Sequence, residues 1–240
     1  MVKKRIALNV QPVEPPRAQN DPLEVIKIWT TIQGEGPLVG MPAVFVRMAG
    51  CNLKCPQCDT DYTSNRQYFD ANGLIKAVQA EIRRNLFSQR HLVVFTGGEP
   101  FRQYLTPVAF DLTALGIHVQ IETNGTFFLQ DFPYQEATIV CSPKTAKIHP
   151  SLFHFTDAWK YIIEEGGVDP DDGLPTRVLG ANVRVARPPE VTHKTRIYVQ
   201  PMDDRKDPKR NKAHMDTAVK VAVKYGYILS LQTHKYMGLE

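Results

Sequence analysis

Three of the chain's four cysteines fall within eight residues, in Cys51-Asn52-Leu53-Lys54-Cys55-Pro56-Gln57-Cys58. Thiols this close would close strained loops as disulfides, so the cluster argues for a metal held in a reducing compartment. A structural zinc site takes four protein ligands, ordinarily from two separated Cys pairs, whereas three thiolates on a four-iron cluster leave one iron open to an external ligand. Two readings follow: a catalytic 4Fe–4S cluster on Cys51, Cys55 and Cys58, or a zinc loop completed by Cys141 or a histidine.

Further polar groups stand just past apolar runs. Gly97-Gly98-Glu99-Pro100 reads as a strand end opening a helix; two glycines admit a ligand close to the backbone and a helix N-terminus offers unpaired N–H groups. Glu99 equally suits the positive end of a helix dipole. Asn124, before Gly125, and Ser142-Pro143-Lys144 put polar side chains at the ends of two later runs, although Asn-Gly alone is ordinary turn chemistry. Cys141, inside its run, reads as a small buried hydrophobe. Arg47 lies in the run leading to the cysteines, where a charge is costly unless paired. Either it bridges to Glu35, or its planar fork takes a substrate carboxylate while Gln33 and Glu35 read the donors and acceptors of a ring. Thr60, after Cys58 and Asp59, either caps a turn or, as a hard oxygen, ligates Mg²⁺ beside that carboxylate.

Short runs rich in β-branched and aromatic residues must position these groups: 24–31, 43–48, 91–96, 118–122, 138–141, 159–163, 196–200 and 227–231. Between them, 70–84 has helical period, with Asp70 as cap and Leu74, Ile75, Val78 and Ile82 on one face, and 208–225 ends at Gly226 as a helix does. Alternating strand and helix imply right-handed crossovers and an α/β fold: a largely parallel sheet, open or rolled into a partial barrel, with the ligand site at its C-terminal strand ends. Residues 1–22 form an arm, with four prolines between 9 and 22, that is expected to be irregular and to do no chemistry. The folded domain is expected over 23–240, interrupted by a long connection at 164–195 with a short strand at 181–186.

A net charge of +4 suits an anionic small ligand as well as a nucleic acid, and the Lys and Arg residues are scattered. With 42% hydrophobic and 22% charged residues, no bilayer-length apolar stretch and no signal-peptide pattern, a soluble cytoplasmic protein is expected.

The Cys-x-x-x-Cys-x-x-Cys spacing resembles the radical S-adenosylmethionine superfamily, and GGEP resembles that superfamily's strand end for the amino group of the methionine moiety. Gln57 stands where an aromatic usually precedes the third cysteine. TIQGEG, GMPAVFVRMAGCNLKCPQCDT, TGGEP, IETNG, SPK, IYVQPM and QTHKYMG, in order over 29–238, are similar to the 7-carboxy-7-deazaguanine synthase family. That resemblance implies an incomplete (β/α) barrel, a homodimer, a 4Fe–4S cluster, S-adenosylmethionine, Mg²⁺ and a flavodoxin- or ferredoxin-type reductant. The implied lyase reaction contracts the ring of 6-carboxy-5,6,7,8-tetrahydropterin with loss of ammonia, as in queuosine-type 7-deazapurine biosynthesis. By motif, Ile32, Gln33, Gly34, Arg47 and Thr96 would contact substrate, and Thr60 would bind Mg²⁺. Gln57, Cys58, Asp59, Gly98, Ser142, Pro143 and Lys144 would contact S-adenosylmethionine. Glu35 and His234 extend the substrate set, and Glu99, Asn124 and Gln200 the cofactor set. A radical activase that makes a glycyl radical on a partner protein shares the length, fold and Cys loop but needs no carboxylate pocket. No membrane or direct nucleic-acid contact is expected.

Overall fold

Apolar β-branched runs become the strands of one sheet in a computed structural model that describes residues 8–85, 91–205 and 207–239. In chain order the elements are β1 (Leu23–Ile32), β2 (Pro42–Met48), β3 (Gln67–Phe69), α1 (Ala71–Asn85), β4 (Leu92–Gly97), α2 (Thr106–Ala114), β5 (His118–Thr123) and β6 (Ala137–Cys141). There follow β7 (Ala158–Ile163), β8 (Arg177–Val178), β9 (Ala181–Asn182), β10 (Ile197–Pro201), α3 (Pro208–Tyr225), β11 (Ile228–Leu229) and α4 (Thr233–Tyr236). The main sheet is ordered β11-β10-β7-β6-β5-β4-β2-β1-β3. From β2 to β11 all pairings are parallel, and β1 and β3 pair antiparallel at one edge. Because β3 and β11 remain as free edges, the barrel expected from the sequence is indeed incomplete.

Helix and strand alternate less regularly than expected. The link from β1 to β2 spans only 33–41, too short for a crossover helix, so these strands meet antiparallel. Beyond Glu99 the chain makes a short 3₁₀ turn, Pro100–Arg102, not the start of an α-helix; Gln103 is extended and α2 begins at Thr106. No α-helix lies between β5 and β6, where Phe128 and Tyr134 of the crossover stack with Phe155 from the β6–β7 connection. Helix ends follow their sequence signals: Asp70 accepts from the Gly73 N–H at 2.6 Å, and Gly226 closes α3 at φ 72°.

Side-chain alternation along the strands creates two unlike faces. Val44, Val46, Met48, Val93, Phe95, Val119 and Ile121 pack against Leu74 and Val78 of α1 and Val108 and Leu112 of α2. Trp159, Tyr161, Ile163, Ile197 and Val199 pack against Ala218, Val221 and Ala222 of α3. Each fully buried Val, Ile or Phe contributes about 1.5–3 kcal/mol, so this helix-covered face sets the strand register. Residues of the opposite parity, at 45, 47, 96, 122, 160, 162 and 200, turn inward and line a cavity.

Two segments outside the sheet close on the Cys loop. In the 164–195 connection the short strand expected at 181–186 is the two-residue β9, paired with β8. Their turn, Leu179-Gly180, has φ of 47° and 80°, the left-handed pair of a two-residue hairpin. The arm, whose first seven residues lie outside those described, has no helix or strand over 8–20 and runs along the Cys loop. Among the described residues no helix is long and apolar enough to cross a membrane.

Candidate active site

The inward face of the parallel strands forms a cavity of about 600 Å³ at their C-terminal ends. Its far wall is charged. Lys160 of β7 is buried, pairs with Glu35 and lies 3.8 Å from Glu122 of β5. Burial alone would raise the Glu35 carboxyl, but the Lys160 ammonium outweighs it and holds that group well below the usual carboxylate range. Burial likewise opposes the Lys160 charge, and Glu122 and Glu35 together hold its affinity for the proton above the ordinary value. Glu122 also accepts from Gln33 Nε2 at 3.1 Å and Thr96 Oγ1 at 3.1 Å, while Gln232 Nε2 donates to Glu35 at 2.7 Å. The expected alternative of an Arg47–Glu35 bridge is therefore replaced by Lys160–Glu35.

Arg47 instead faces the cavity with its guanidinium 5.0 Å from the Trp29 ring centroid, and its buried Nε has no hydrogen-bond partner in the protein. Register sets it beside Thr96, its partner across β2 and β4. His234 of α4 completes this side; burial lowers its affinity for a proton. Gly34 does not line the cavity: its carbonyl accepts from the Thr233 N–H at 3.0 Å, and a Cβ there would meet His234 Nδ1 at 2.1 Å. That glycine seats the C-terminal segment and does not open a path to a ligand.

On the near wall stand Cys51, Cys55 and Cys58, all free thiols, with Asp59, Thr60, Gly98, Asn124, Ser142 and Lys144. Burial pushes the Cys51 thiol up to about 12 and raises Cys55 and Cys58 as well. Three desolvated thiols cannot ionise together unless positive charge sits among them. Lys144 Nζ donates to the Ser142 carbonyl and hydroxyl, and burial lowers its proton affinity. Asn124 ties this rim to the Cys loop through Asn52 Oδ1 at 3.0 Å.

Three residues expected on the cofactor side sit elsewhere. Glu99 is fully buried, its carboxylate accepting from Phe101 N, Thr123 Oγ1 and Asn124 N at 2.7–3.0 Å. Burial still brings it up to about 7, and its work is to bracket the ends of β4 and β5. Pro143 lies outside the cavity lining. Gln57 packs its side chain on Gly180, and its N–H donates to Leu179 O at 2.9 Å, so the hairpin turn occupies the flank of the Cys loop at the residue where an aromatic was expected. Leu179 thereby reaches the cavity wall.

Gly98 lines the cavity and also makes a close backbone contact. A Cβ there would lie 1.9 Å from the Gly50 carbonyl oxygen, so two backbones touch where β4 ends and the Cys loop begins. Gly98→Ala is expected to push the loop away, lowering the melting temperature by about 5 °C for ~1–3 kcal/mol of overpacking and reducing bound iron and sulfide after anaerobic reconstitution. Full iron and sulfide content in that variant would refute the contact's importance.

A model described as Radical SAM superfamily matches residues 45–135. The chain is 40% identical over 233 residues to a 7-carboxy-7-deazaguanine synthase of Rhodospirillum rubrum, covering 94% of this chain and 96% of that one. It belongs to the 7-carboxy-7-deazaguanine synthase family. A family member from Rickettsia prowazekii is 37% identical over 227 residues, 91% of this chain and 89% of its own. In fold, the chain is similar to the crystal structure of QueE from Escherichia coli, with a TM-score of 0.62 and 21% identity over 88% of this chain and 93% of the other.

Membership of the radical superfamily implies a 4Fe–4S cluster and S-adenosylmethionine, and the donor set fits. Three free thiols share one wall, and their burial calls for the positive charge that iron provides. Cys141, the candidate fourth zinc ligand, is buried in the helix-facing core, away from the cavity. Sequence reading passed over Trp29, Tyr62, Glu122, Lys160, Leu179 and Gln232, all of which line the site. A signal for two of them existed: Glu122 and Lys160 are charged residues inside apolar strand runs, as Arg47 is, and the same cost of burial marks all three.

Proposed function

We propose that this chain acts on 6-carboxy-5,6,7,8-tetrahydropterin and forms 7-carboxy-7-deazaguanine with loss of ammonia, as a lyase. Arg47 carries the reading: a half-buried arginine whose buried Nε lacks a protein partner, facing the same cavity as the three thiols. Its fork takes the pterin carboxylate, and Trp29 backs it. Gln33, Thr96, Glu122, Glu35 and Lys160 supply donors and acceptors in the same cavity for the ring's amide and amino groups, and Ile32, Phe45 and Ile162 give it apolar contact. Already bonded to one another, these polar groups are held in place before substrate arrives. His234 closes the substrate side.

Cys51, Cys55 and Cys58 hold the cluster, and when bound, cluster and S-adenosylmethionine supply the hydrogen-abstracting radical. Gly98, Asn124, Ser142, Lys144 and Gln200 line the wall assigned to S-adenosylmethionine, with Asp59 beside them. Thr60, whose hydroxyl is 3.3 Å from Asp59 Oδ1, is the proposed Mg²⁺ ligand. The working unit is a homodimer in a reducing cytoplasm, served by a flavodoxin- or ferredoxin-type reductant.

The test supplies reduced, reconstituted protein with the carboxytetrahydropterin, S-adenosylmethionine and Mg²⁺ and looks for carboxydeazaguanine by mass spectrometry. Absence of product, with S-adenosylmethionine still cleaved, would turn the assignment to a glycyl-radical activase. Arg47→Met is expected to lower kcat/KM about 100-fold, the value of a lost charge-assisted fork, with iron content unchanged. An unaltered kcat/KM would remove Arg47 from the substrate site.

A further inference from the structure

The proline-rich arm has no place in the chemistry above, yet its polar groups bond the Cys loop at several points along its length. The Asn9 N–H donates to Pro56 O at 2.8 Å, and its side-chain amide donates to Cys55 O and Tyr62 Oη, each at 3.2 Å. Gln11 uses both ends of its amide: Nε2 donates to Thr60 O at 2.9 Å, and Oε1 accepts from Tyr62 N at 2.8 Å. Farther along, the Glu14 N–H donates to Cys51 O at 2.8 Å, and the Glu14 carboxylate joins Arg66 and Arg102. Between Cys51 and Tyr62 the loop has no helix or strand of its own, so these carbonyls and N–H groups lack partners from regular structure.

Prolines explain how an irregular arm does this. Pro12, Pro15 and Pro16 fix φ and have no N–H to satisfy, which keeps the segment extended and lowers the entropy lost on docking. Asn9 and Gln11, ahead of these prolines, and Glu14, between them, supply the bonds. Tyr62 is the point they share: 1% exposed, bonded by both Asn9 and Gln11, its carbonyl accepts from the Gly50 N–H at 2.8 Å.

We propose that the arm is a strap that sets the conformation of the cluster-binding loop, with Asn9 and Gln11 as positioning residues. Asn9 acts on the Cys55–Pro56 turn, and Gln11 on the Thr60–Tyr62 segment that carries the proposed Mg²⁺ ligand. The strap touches neither substrate nor radical; it acts through the loop. The inference rests on reading Cys51, Cys55 and Cys58 as cluster ligands.

The full-length chain, Asn9→Ala/Gln11→Ala, Gln11→Glu and Val13→Ala are reconstituted anaerobically and compared. Iron and sulfide content, the electron paramagnetic resonance spectrum of the reduced cluster, its rate of loss to a chelator and the melting temperature are recorded. The double variant removes four side-chain hydrogen bonds to the loop and is expected to lose its cluster at least about tenfold faster, since a tenfold change needs only about 1.4 kcal/mol of that support, with a changed resonance spectrum. Gln11→Glu keeps the acceptor for Tyr62 N–H but loses the donor to Thr60 O, so it should fall between. Val13, exposed and outside these contacts, should behave as the parent when replaced. Parent-like lifetime and spectrum in the double variant would overturn the strap; if that variant melts much lower, the near-isosteric Gln11→Glu decides by the same two readings. A parent protein that takes up no iron and sulfide removes the cysteine reading first, and the strap with it.

Discussion

Cys55→Ala is expected to abolish S-adenosylmethionine cleavage and product formation while leaving the chain folded. Of the three thiols, Cys51 accepts from the Leu53 N–H at 3.4 Å and Cys58 donates to Thr60 O at 3.8 Å, whereas Cys55 makes no such loop contact through its sulfur. Cys55 is also half-buried at the cavity wall and outside the hydrophobic clusters, so its sulfur supports little packing. Its replacement therefore separates ligand loss from loop damage. Two thiolates remain, too few to hold three irons and leave one open, so bound iron and sulfide should fall toward background. Visible absorption, iron and sulfide analysis and the yield of cleaved S-adenosylmethionine check this, with the melting temperature of the cluster-free protein as control. A variant with parent-like iron content and turnover would place the cluster elsewhere.

The largest effect on stability is expected from Arg102→Ala. Arg102 is 2% exposed, and its guanidinium donates to Glu24 at 2.7 Å, to Ala49 O at 3.1 Å and to Pro15 O at 3.0 Å. Glu24, 5% exposed, also holds Arg17 and Arg66, so one buried carboxylate gathers three arginines from the arm, the segment just before β3 and the turn after β4. The same guanidinium lies against Gly50, where a Cβ would come within 2.4 Å of it. Removing one partner of a buried ion pair costs about 3–5 kcal/mol. Arg17 and Arg66 still neutralise Glu24, which favours the lower end, and at 2–4 °C per kcal/mol the melting temperature should drop by about 10 °C. Thermal unfolding followed by circular dichroism measures it. A fall under about 2 °C would mean that the two remaining arginines and water replace Arg102 entirely.

Much of the site can be read in sequence order because its chemistry is local. Cys51, Cys55 and Cys58 lie on one loop, so the chain presents three thiols together whatever the fold around them. Strand runs, the α1 and α3 faces and their caps follow from apolar period and from Asp70 and Gly226, each a signal within a few residues. Motifs at successive strand ends meet at one rim because parallel strands share a direction, so Thr96, Asn124 and Ser142 line one cavity.

What the tertiary structure alone decided are the pairings between distant residues. Lys160 finds Glu35 across 125 residues, which only the strand order β7-β6-β5-β4-β2 and its register bring about. Gly98 is glycine because of Gly50, and Gly34 because of His234: a close approach leaves no mark on sequence beyond the missing side chain. Glu99 looks the same in sequence whether it meets a ligand or three N–H and O–H donors of its own chain. The arm is the sharpest case, since prolines and scattered polar residues read as an irregular tail until the unpaired carbonyls of the Cys loop are seen beside it. Sequence determined which groups could do chemistry; three-dimensional packing determined which of them face the cavity, because burial and hydrogen bonding are settled between residues that the chain keeps far apart.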